Sequence, residues 1–258
     1  MIYKLGSQGD VVKQIQQAVG AKSDGDFGLK TEMSVKQWQA KNGLTVDGIV
    51  GPITLEKMGI GSNYLYSKDE IETAVKSKGY KWFDNKDLYL NIVGVRNSET
   101  GKKVTNVFDD RLTLSYKKNG LWVYKEWINT TDPGTKGVME YHNAAGVARL
   151  VPGQYIDSHI IRLHNGKYEA LGQNKPVKVY RDPNRDMTYD ETKVQEGVFG
   201  INIHKAGRDS TYVENWSEGC QVFKRSADFE EFMEIARESK GAGFKSFTYT
   251  LIESKDIV

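Results

Sequence analysis

Cysteine is nearly missing from this chain of 258 residues. Cys220 is the only one, so no intrachain disulfide and no cysteine-cluster metal site can form. Proline is sparse, 5 against 26 glycines, a turn-rich balance without low-complexity bias. Neither sign of charge dominates: 36 Lys plus Arg against 34 Asp plus Glu leave a net charge of +2. A dedicated nucleic-acid binder would carry a clear basic excess, so no nucleic-acid partner is expected. No apolar run approaches the roughly 18 residues of a membrane helix. No apolar stretch follows Lys4, so no signal peptide is read at the start. His142, His159 and His164 show neither H-x-x-x-H nor H-E-x-x-H spacing, which argues against a zinc peptidase. No metal and no cofactor are expected. What remains is an ordinary folded composition, 38% hydrophobic and 27% charged.

The first sixty residues read as three short helices. Val11, Val12, Ile15, Ala18 and Val19 share one helical face. Thr31 is suited to cap a second helix, which carries Val35 and Trp38 inward and stops at Asn42-Gly43. Pro52 suits the first turn of a third helix with Ile53, Leu55 and Met58. The loops between them repeat. Asp24-Gly25-Asp26-Phe27-Gly28-Leu29-Lys30-Thr31 and Asp47-Gly48-Ile49-Val50-Gly51-Pro52-Ile53-Thr54 share the pattern D-G-x-hydrophobic-G-x-x-T. Paired glycines permit positive φ around one buried hydrophobe and deliver the chain to a helix N-terminus.

Leu5-Gly6-Ser7-Gln8-Gly9-Asp10-Val11-Val12, Gln37-Trp38-Gln39, Gly43-Leu44 and Asp47–Pro52 together resemble the three-helix peptidoglycan-binding module of cell-wall enzymes. The resemblance covers nearly all of residues 1–60. It implies peptidoglycan as partner and a cell-wall anchor, although such scaffolds also serve as spacers.

Ser62-Asn63 and Ser67–Gly79 read as a connector, with Ser67 capping a short helix whose Ile71, Ala74 and Val75 face inward. From Tyr80 onward strand patterns dominate: 88–95, 111–116, 121–129, 160–163, 168–171, 177–180, 198–203 and 247–251. Asn119-Gly120 and Asn165-Gly166 are hairpin turns. Ser226 is placed as the N-cap of one late helix, with Phe229, Phe232, Met233 and Ala236 on its buried face. The expected class is α+β: a helical domain over 1–60, a linker with a helix over 61–79, and a mainly-β catalytic domain over 80–258. A monomer is expected.

Trp216-Ser217-Glu218-Gly219-Cys220 places the sole thiol behind a sharp-turn composition. Such a turn exposes sulfur and directs backbone N–H groups beside it, the arrangement that stabilises an oxyanion. A thiol also needs a base, and His204 ends an apolar strand pattern where a rigid element can hold it. A small buried hydrophobic cysteine and a satisfied strand-end histidine explain the residue types equally well. The interval is more specific. His204, twelve residues, then Ser217-x-Gly219-Cys220 resembles the signature of YkuD-like L,D-transpeptidases, and Gly200–His204 resembles that family's strand into its histidine. The resemblance implies Cys220 as nucleophile forming a thioester with a stem-peptide carbonyl, and His204 as base. It further implies Gly219 with Cys220 as the oxyanion turn and Ser217 as the residue shaping it. Two positions depart from the pattern: Glu218 stands where the family commonly has a basic residue, and Gln221-Val222 replaces Ile-Arg. Lys224 and Arg225 are candidates to restore the missing charge.

Other constellations are weaker. Asp182, Asn184, Asp186 and Asp190 alternate like a calcium loop, but Met187 and Lys193 occupy the places of its glycine and its glutamate, so a solvated turn is favoured. His164 reads as a surface hairpin residue, and Tyr141 and Tyr155 as core or rim. Glu140, Asp157 and Glu169 could pair as a glycosidase only through tertiary proximity. A chain opening directly on a wall-binding module resembles phage endolysins, made in the cytoplasm and acting on the wall. Hydrolysis of a stem-peptide bond is therefore expected. Cross-linking L,D-transpeptidation is the alternative, and a non-catalytic wall-binding protein the second.

Overall fold

The structure is a computed structural model that describes residues 3–58, 60, 65–98, 102–140, 144–189 and 192–257, without the side chains of 52, 53 and 56. Ser62-Asn63, Tyr141, His142, Asp190 and the Ile53 side chain lie outside that description. The chain divides into two compact units, Met1–Leu65 and Tyr66–Val258. The class is α+β.

In the first unit, α1 (Asp10–Ala18), α2 (Leu29–Lys41) and α3 (Pro52–Met58) enclose Val12, Ile15, Phe27, Val35, Val50, Leu55 and Ile60. The repeated loops fold by one device used twice. Gln16 Nε2 donates to Asp24 Oδ1 at 2.8 Å and to Asp26 O at 2.9 Å, while its Oε1 accepts from Gly25 N–H at 2.8 Å. Gln39 repeats this on Asp47 Oδ1, Ile49 O and Gly48 N–H, each at 2.9 Å. Each buried amide thus satisfies a loop that has no strand partner, and Gly25 and Gly48 take the positive φ, 80° and 75°, that the turn requires. Thr31 does not cap α2. The helix begins two residues earlier after Gly28, and Thr31 is buried inside it, accepting a third bond from Gln16.

In the second unit, α4 (Lys68–Ser77) starts at a Ser67–Glu70 capping box. It does not serve as a free connector: Ile71, Ala74 and Val75 are buried with Val93, Val95 and Ile252. The strands β1 (Asn91–Arg96), β2 (Asp110–Lys118), β3 (Leu121–Thr130), β5 (Gly153–His164), β6 (Tyr168–Gln173), β9 (Ile203–Lys205), β10 (Gln221–Phe223) and β11 (Phe247–Glu253) close into a barrel in the order β1-β11-β5-β6-β9-β10-β3-β2. β4 (Val147–Leu150), β7 (Val177–Asp182) and β8 (Val194–Gly197) form a separate three-stranded sheet, and α5 (Thr135–Glu140) precedes it. Both Asn-Gly turns adopt positive φ at each residue, as a primed hairpin demands. The core gathers Ile92, Leu112, Leu114, Trp127, Leu171, Ile203, Phe223 and Leu251 with Phe229, Phe232, Met233 and Ala236 of α6 (Ser226–Gly241).

Two local expectations fail here. Ser226 is the first residue of α6 rather than its cap, and its hydroxyl donates to Gly207 O. The strand expected over 198–203 is irregular. Gly200 turns the backbone to φ 80°, and the Gln173 Oε1 accepts the N–H groups of Phe199 and Ile201 in place of a strand partner.

Candidate active site

Cys220 stands just before β10 and His204 at the centre of β9, on neighbouring parallel strands. The register pairs Val222 with His204, and Gln221 N–H donates to Asn202 O. With side chains alternating along each strand, Cys220, Val222, Asn202 and His204 share one face. The irregular segment before β9 holds the thiol from the side: Asn202 N–H donates to Sγ at 3.5 Å, and the thiol donates to Gly200 O at 3.3 Å. Cys220 is partly exposed and packs at the edge of a small cluster of Phe108, Ala206, Val213 and Val222.

The turn before the thiol is built by Ser217. Its hydroxyl donates to Cys220 O at 2.8 Å and accepts from Gly219 N–H at 3.2 Å. Gly219 has φ 126°, and a Cβ there would stand 2.3 Å from Ala148 O, so no other residue fits without displacing β4. Because Gly219 N–H is already bonded to Ser217, it is not the outward-facing donor that the sequence suggested. Cys220 N–H has no hydrogen-bond partner among the described residues.

His204 is buried and in a defined tautomer. Its Nδ1 lies 2.9 Å from Lys205 O, and a carbonyl only accepts, so Nδ1 carries the proton and Nε2 presents a lone pair. Burial, reinforced by the neighbouring His164, pushes its pKa down to about 4. Burial, opposed by the Asn202 N–H bond and reinforced by Glu218, pushes the Cys220 thiol up to about 11. Glu218 itself is exposed, which limits the charge it imposes. In the resting state the thiol and the imidazole are therefore both neutral. No hydrogen bond joins Sγ to His204 in this state, and the thiol donates to Gly200 O.

His164 is not a surface hairpin residue. It is half-buried, and its ring stacks on His204 with centroids 4.3 Å apart and planes 17° apart. Asn202 links this second imidazole to the thiol. Its backbone N–H holds Sγ, its Nδ2 lies 3.3 Å from His164 Nδ1, and its Oδ1 accepts Gln173 N–H at 2.9 Å. Tyr168 joins from β6, its hydroxyl 3.4 Å from the same Lys205 O that orients His204. His159 is fully buried behind the site, with Nε2 2.9 Å from Ile201 O. A cleft of about 210 Å³ opens beside His164, lined by Arg162, Leu163, Asn165, Ala170, Gly172 and Asn202. It brings Arg162 next to the site, whereas Arg225 is turned to Asp228 at the start of α6. The sequence signal for His164 was its place at the end of β5, four residues before Tyr168, and nothing in that spacing announced a stacked pair.

The remaining candidates do not gather. Asp182, Asn184 and Asp186 each give an oxygen to a local turn: Arg185 N–H donates to Asp182, Asp186 N–H to Asn184 and Thr188 N–H to Asp186. No group of three or more His, Cys, Asp or Glu is assembled for a metal among the described residues. Asp157 and Glu169 are occupied elsewhere, with Lys175 and Arg237. The Tyr155 hydroxyl donates to the backbone at Val151 O. No helix among the described residues is long and apolar enough to cross a membrane.

Residues 8–58 match the family model described as a putative peptidoglycan binding domain. No curated protein matches the chain. Among solved structures, the chain is similar to a fused Zn-dependent amidase/peptidase/peptidoglycan-binding domain-containing protein from Clostridium acetobutylicum, at 13% identity and a TM-score of 0.25, over 98% of this chain and 99% of that one. It is also similar to an L,D-transpeptidase from Xylanimonas cellulosilytica, at 16% identity and a TM-score of 0.27, over 98% of each chain.

Proposed function

We propose, from the peptidoglycan-binding match of the first unit, that the second unit is a cysteine enzyme acting on the peptide stems of peptidoglycan. The observation carrying this reading is the tautomer-locked His204, one strand away from the sole thiol and on the same face. In the reaction, the thiol leaves Gly200 O and Sγ attacks a peptide carbonyl as His204 Nε2 accepts its proton. Charge then develops on the carbonyl oxygen, beside the uncommitted Cys220 N–H. Collapse breaks the C–N bond, the imidazolium returns its proton to the departing amine, and a thioester remains on Cys220. Water, deprotonated by the same imidazole, completes hydrolysis and frees the thiol. Ser217 and Gly219 position the turn, and His164 keeps His204 dry and neutral.

Hydrolysis is the outcome we infer, with the wall anchor in Met1–Leu65 and catalysis in Tyr66–Val258, which keeps α4 with the catalytic unit rather than in a linker ending at residue 79. We infer that the chain acts on the bacterial wall as a monomer. The test is digestion of purified sacculi by the full chain and by Cys220→Ala, with products read by mass. A new terminus carrying one added water supports hydrolysis. A peptide joined to a different amine would instead make it a transpeptidase, and wall turnover by the alanine variant at a tenth of the wild-type rate or more would refute thiol chemistry altogether, since nucleophile losses run to several orders of magnitude, about 10⁴ or beyond.

A further inference from the structure

Away from the thiol, a cleft of about 380 Å³ is lined by Arg96, Lys102, Arg149, Tyr180, Tyr189 and Glu253, among others. Its two guanidinium groups are in different situations. Arg96 is wholly committed: Nε bonds Thr131 Oγ1 at 2.9 Å, Nη1 bonds Leu150 O at 2.9 Å, and Nη2 bonds Thr131 O at 3.0 Å. Arg149 is not. Among the described residues only its Nε is hydrogen-bonded, at 2.9 Å from Asp132 Oδ1, a carboxylate oxygen that it shares with Arg96 at 3.0 Å. Its Nη2 is buried and has no hydrogen-bond partner among the described residues. A buried guanidinium nitrogen left without an acceptor is costly, so its retention points to an acceptor arriving from outside. The group is also held rigid, stacked 3.8 Å above the Tyr189 ring.

Charge agrees with this. Lys102 is exposed and has no ion-pair partner among the described residues, and the acid of the lining, Glu253, is already paired with Lys255 at 2.7 Å. Asp132 serves two guanidiniums, and burial together with the Asp132 charge pushes Asp110, the other nearby carboxyl, up to about 7. We infer that this cleft binds the terminal carboxylate of a short peptide, with Arg149 as the fork and Lys102 as a second cation. A planar carboxylate matches the two outer nitrogens of a fixed guanidinium, as a point charge or a spherical anion does not. The faces of Tyr180 and Tyr189 and the Pro152 ring supply walls for the adjoining residue, and the volume lies in the range of small-ligand clefts. The inference stands whether or not Cys220 is a nucleophile.

The test is calorimetric titration of the full chain with N-acetyl-alanyl-alanine, its C-terminal amide and inorganic phosphate, each to about 10 mM, which detects affinities down to the millimolar range. The expected result is binding of the acid, none of the amide, and phosphate weaker than the acid. Arg149→Lys should weaken the acid by about tenfold or more, since the fork is lost while the charge stays. Arg149 also braces Asp132, so Lys102→Gln at an exposed position is the companion variant, expected to weaken binding about threefold with an unchanged melting temperature. Cys220→Ala should bind the acid as the parent does. Equal binding of acid and amide, phosphate binding as tightly as the acid, no binding at all, or full affinity in both cleft variants would each overturn the inference. Loss of binding in Cys220→Ala would do so too, by merging the cleft with the thiol site.

Discussion

The pH dependence of the thiol should be governed by two neutral groups rather than by an ion pair. His204 is pushed down to about 4 and Cys220 up to about 11. Converting the neutral pair to imidazolium and thiolate spans 11 − 4 = 7 pH units, about 10 kcal/mol at ~1.4 kcal/mol per unit. Mutual attraction at a contact distance of ~4 Å returns about 4 kcal/mol in a protein-like medium, so the neutral pair still wins by several kcal/mol. The signs follow. A lowered histidine pKa keeps the base neutral, and so competent, down to about pH 4. A raised thiol pKa keeps the proton on sulfur until about pH 11. Turnover of a soluble stem peptide should therefore be flat from roughly pH 5 to 10, not rising through the ordinary histidine range near ~6.5. Alkylation of Cys220 by iodoacetamide should be slow at pH 7, with roughly 300-fold less thiolate than a free cysteine of pKa ~8.5, and should climb tenfold per unit to about pH 11. His204→Ala should abolish turnover yet scarcely change that alkylation rate, because an uncharged imidazole does not stabilise the thiolate. An alkylation midpoint between 5 and 7 that His204→Ala removes would refute the reasoning. Folding must be followed in parallel. His159 is also pushed to about 4 by burial, and the unfolded chain protonates both rings near ~6.5, so stability present above that pH is lost as pH falls toward 4, by roughly 3 kcal/mol per ring. The melting temperature should drop across that window, and His159→Gln should flatten the drop.

Cys220→Ala should leave the melting temperature within a degree or two, about the effect of a small surface change, while removing turnover. His164→Ala should readmit water to His204 and move the acid limb of activity up by about a unit or more, read from the pH profile of the variant. Gly219→Ala should destabilise the second unit by about 2–4 kcal/mol in urea unfolding, because it combines φ 126° with a 2.3 Å approach to Ala148 O. Residues 1–65 alone should fold and sediment with purified peptidoglycan. Gln16→Ala and Gln39→Ala should each cost that unit about 2–4 kcal/mol by stripping partners from a buried loop, and equal losses would show the two loops to be equivalent.

What could be read from the chain was whatever has a short period or a fixed interval. The hairpins at Asn119-Gly120 and Asn165-Gly166 are encoded by two residues each, and both formed where expected. The repeated D-G loops were equally visible, but the glutamines that fold them were not, since Gln16 and Gln39 sit eight residues upstream of Asp24 and Asp47 and are polar side chains one turn beyond Val12 and Val35 on the buried stripe. The same limit explains the misplaced caps: Thr31 and Ser226 have the right side chains, yet each found a better partner inside the fold, and backbone geometry set the helix starts.

The site divides along the same line. The interval from His204 to Cys220 belongs to one stretch of chain, and parallel pairing of β9 with β10 is what that interval produces. The groups that decide its chemistry come from elsewhere. Gln173 replaces a strand partner so that Gly200 and Asn202 can grip the thiol, and His164 arrives from β5 to stack on the base. Burial by these distant residues, not the identity of the pair, lowers one pKa and raises the other. A reading of Cys and His alone leads to a pair titrating near neutrality; with the surrounding residues in place, the proton stays on sulfur until a carbonyl is there to be attacked. The upward shift of the acid limb in His164→Ala, with Cys220 and His204 both retained, is the measurement that separates these two views.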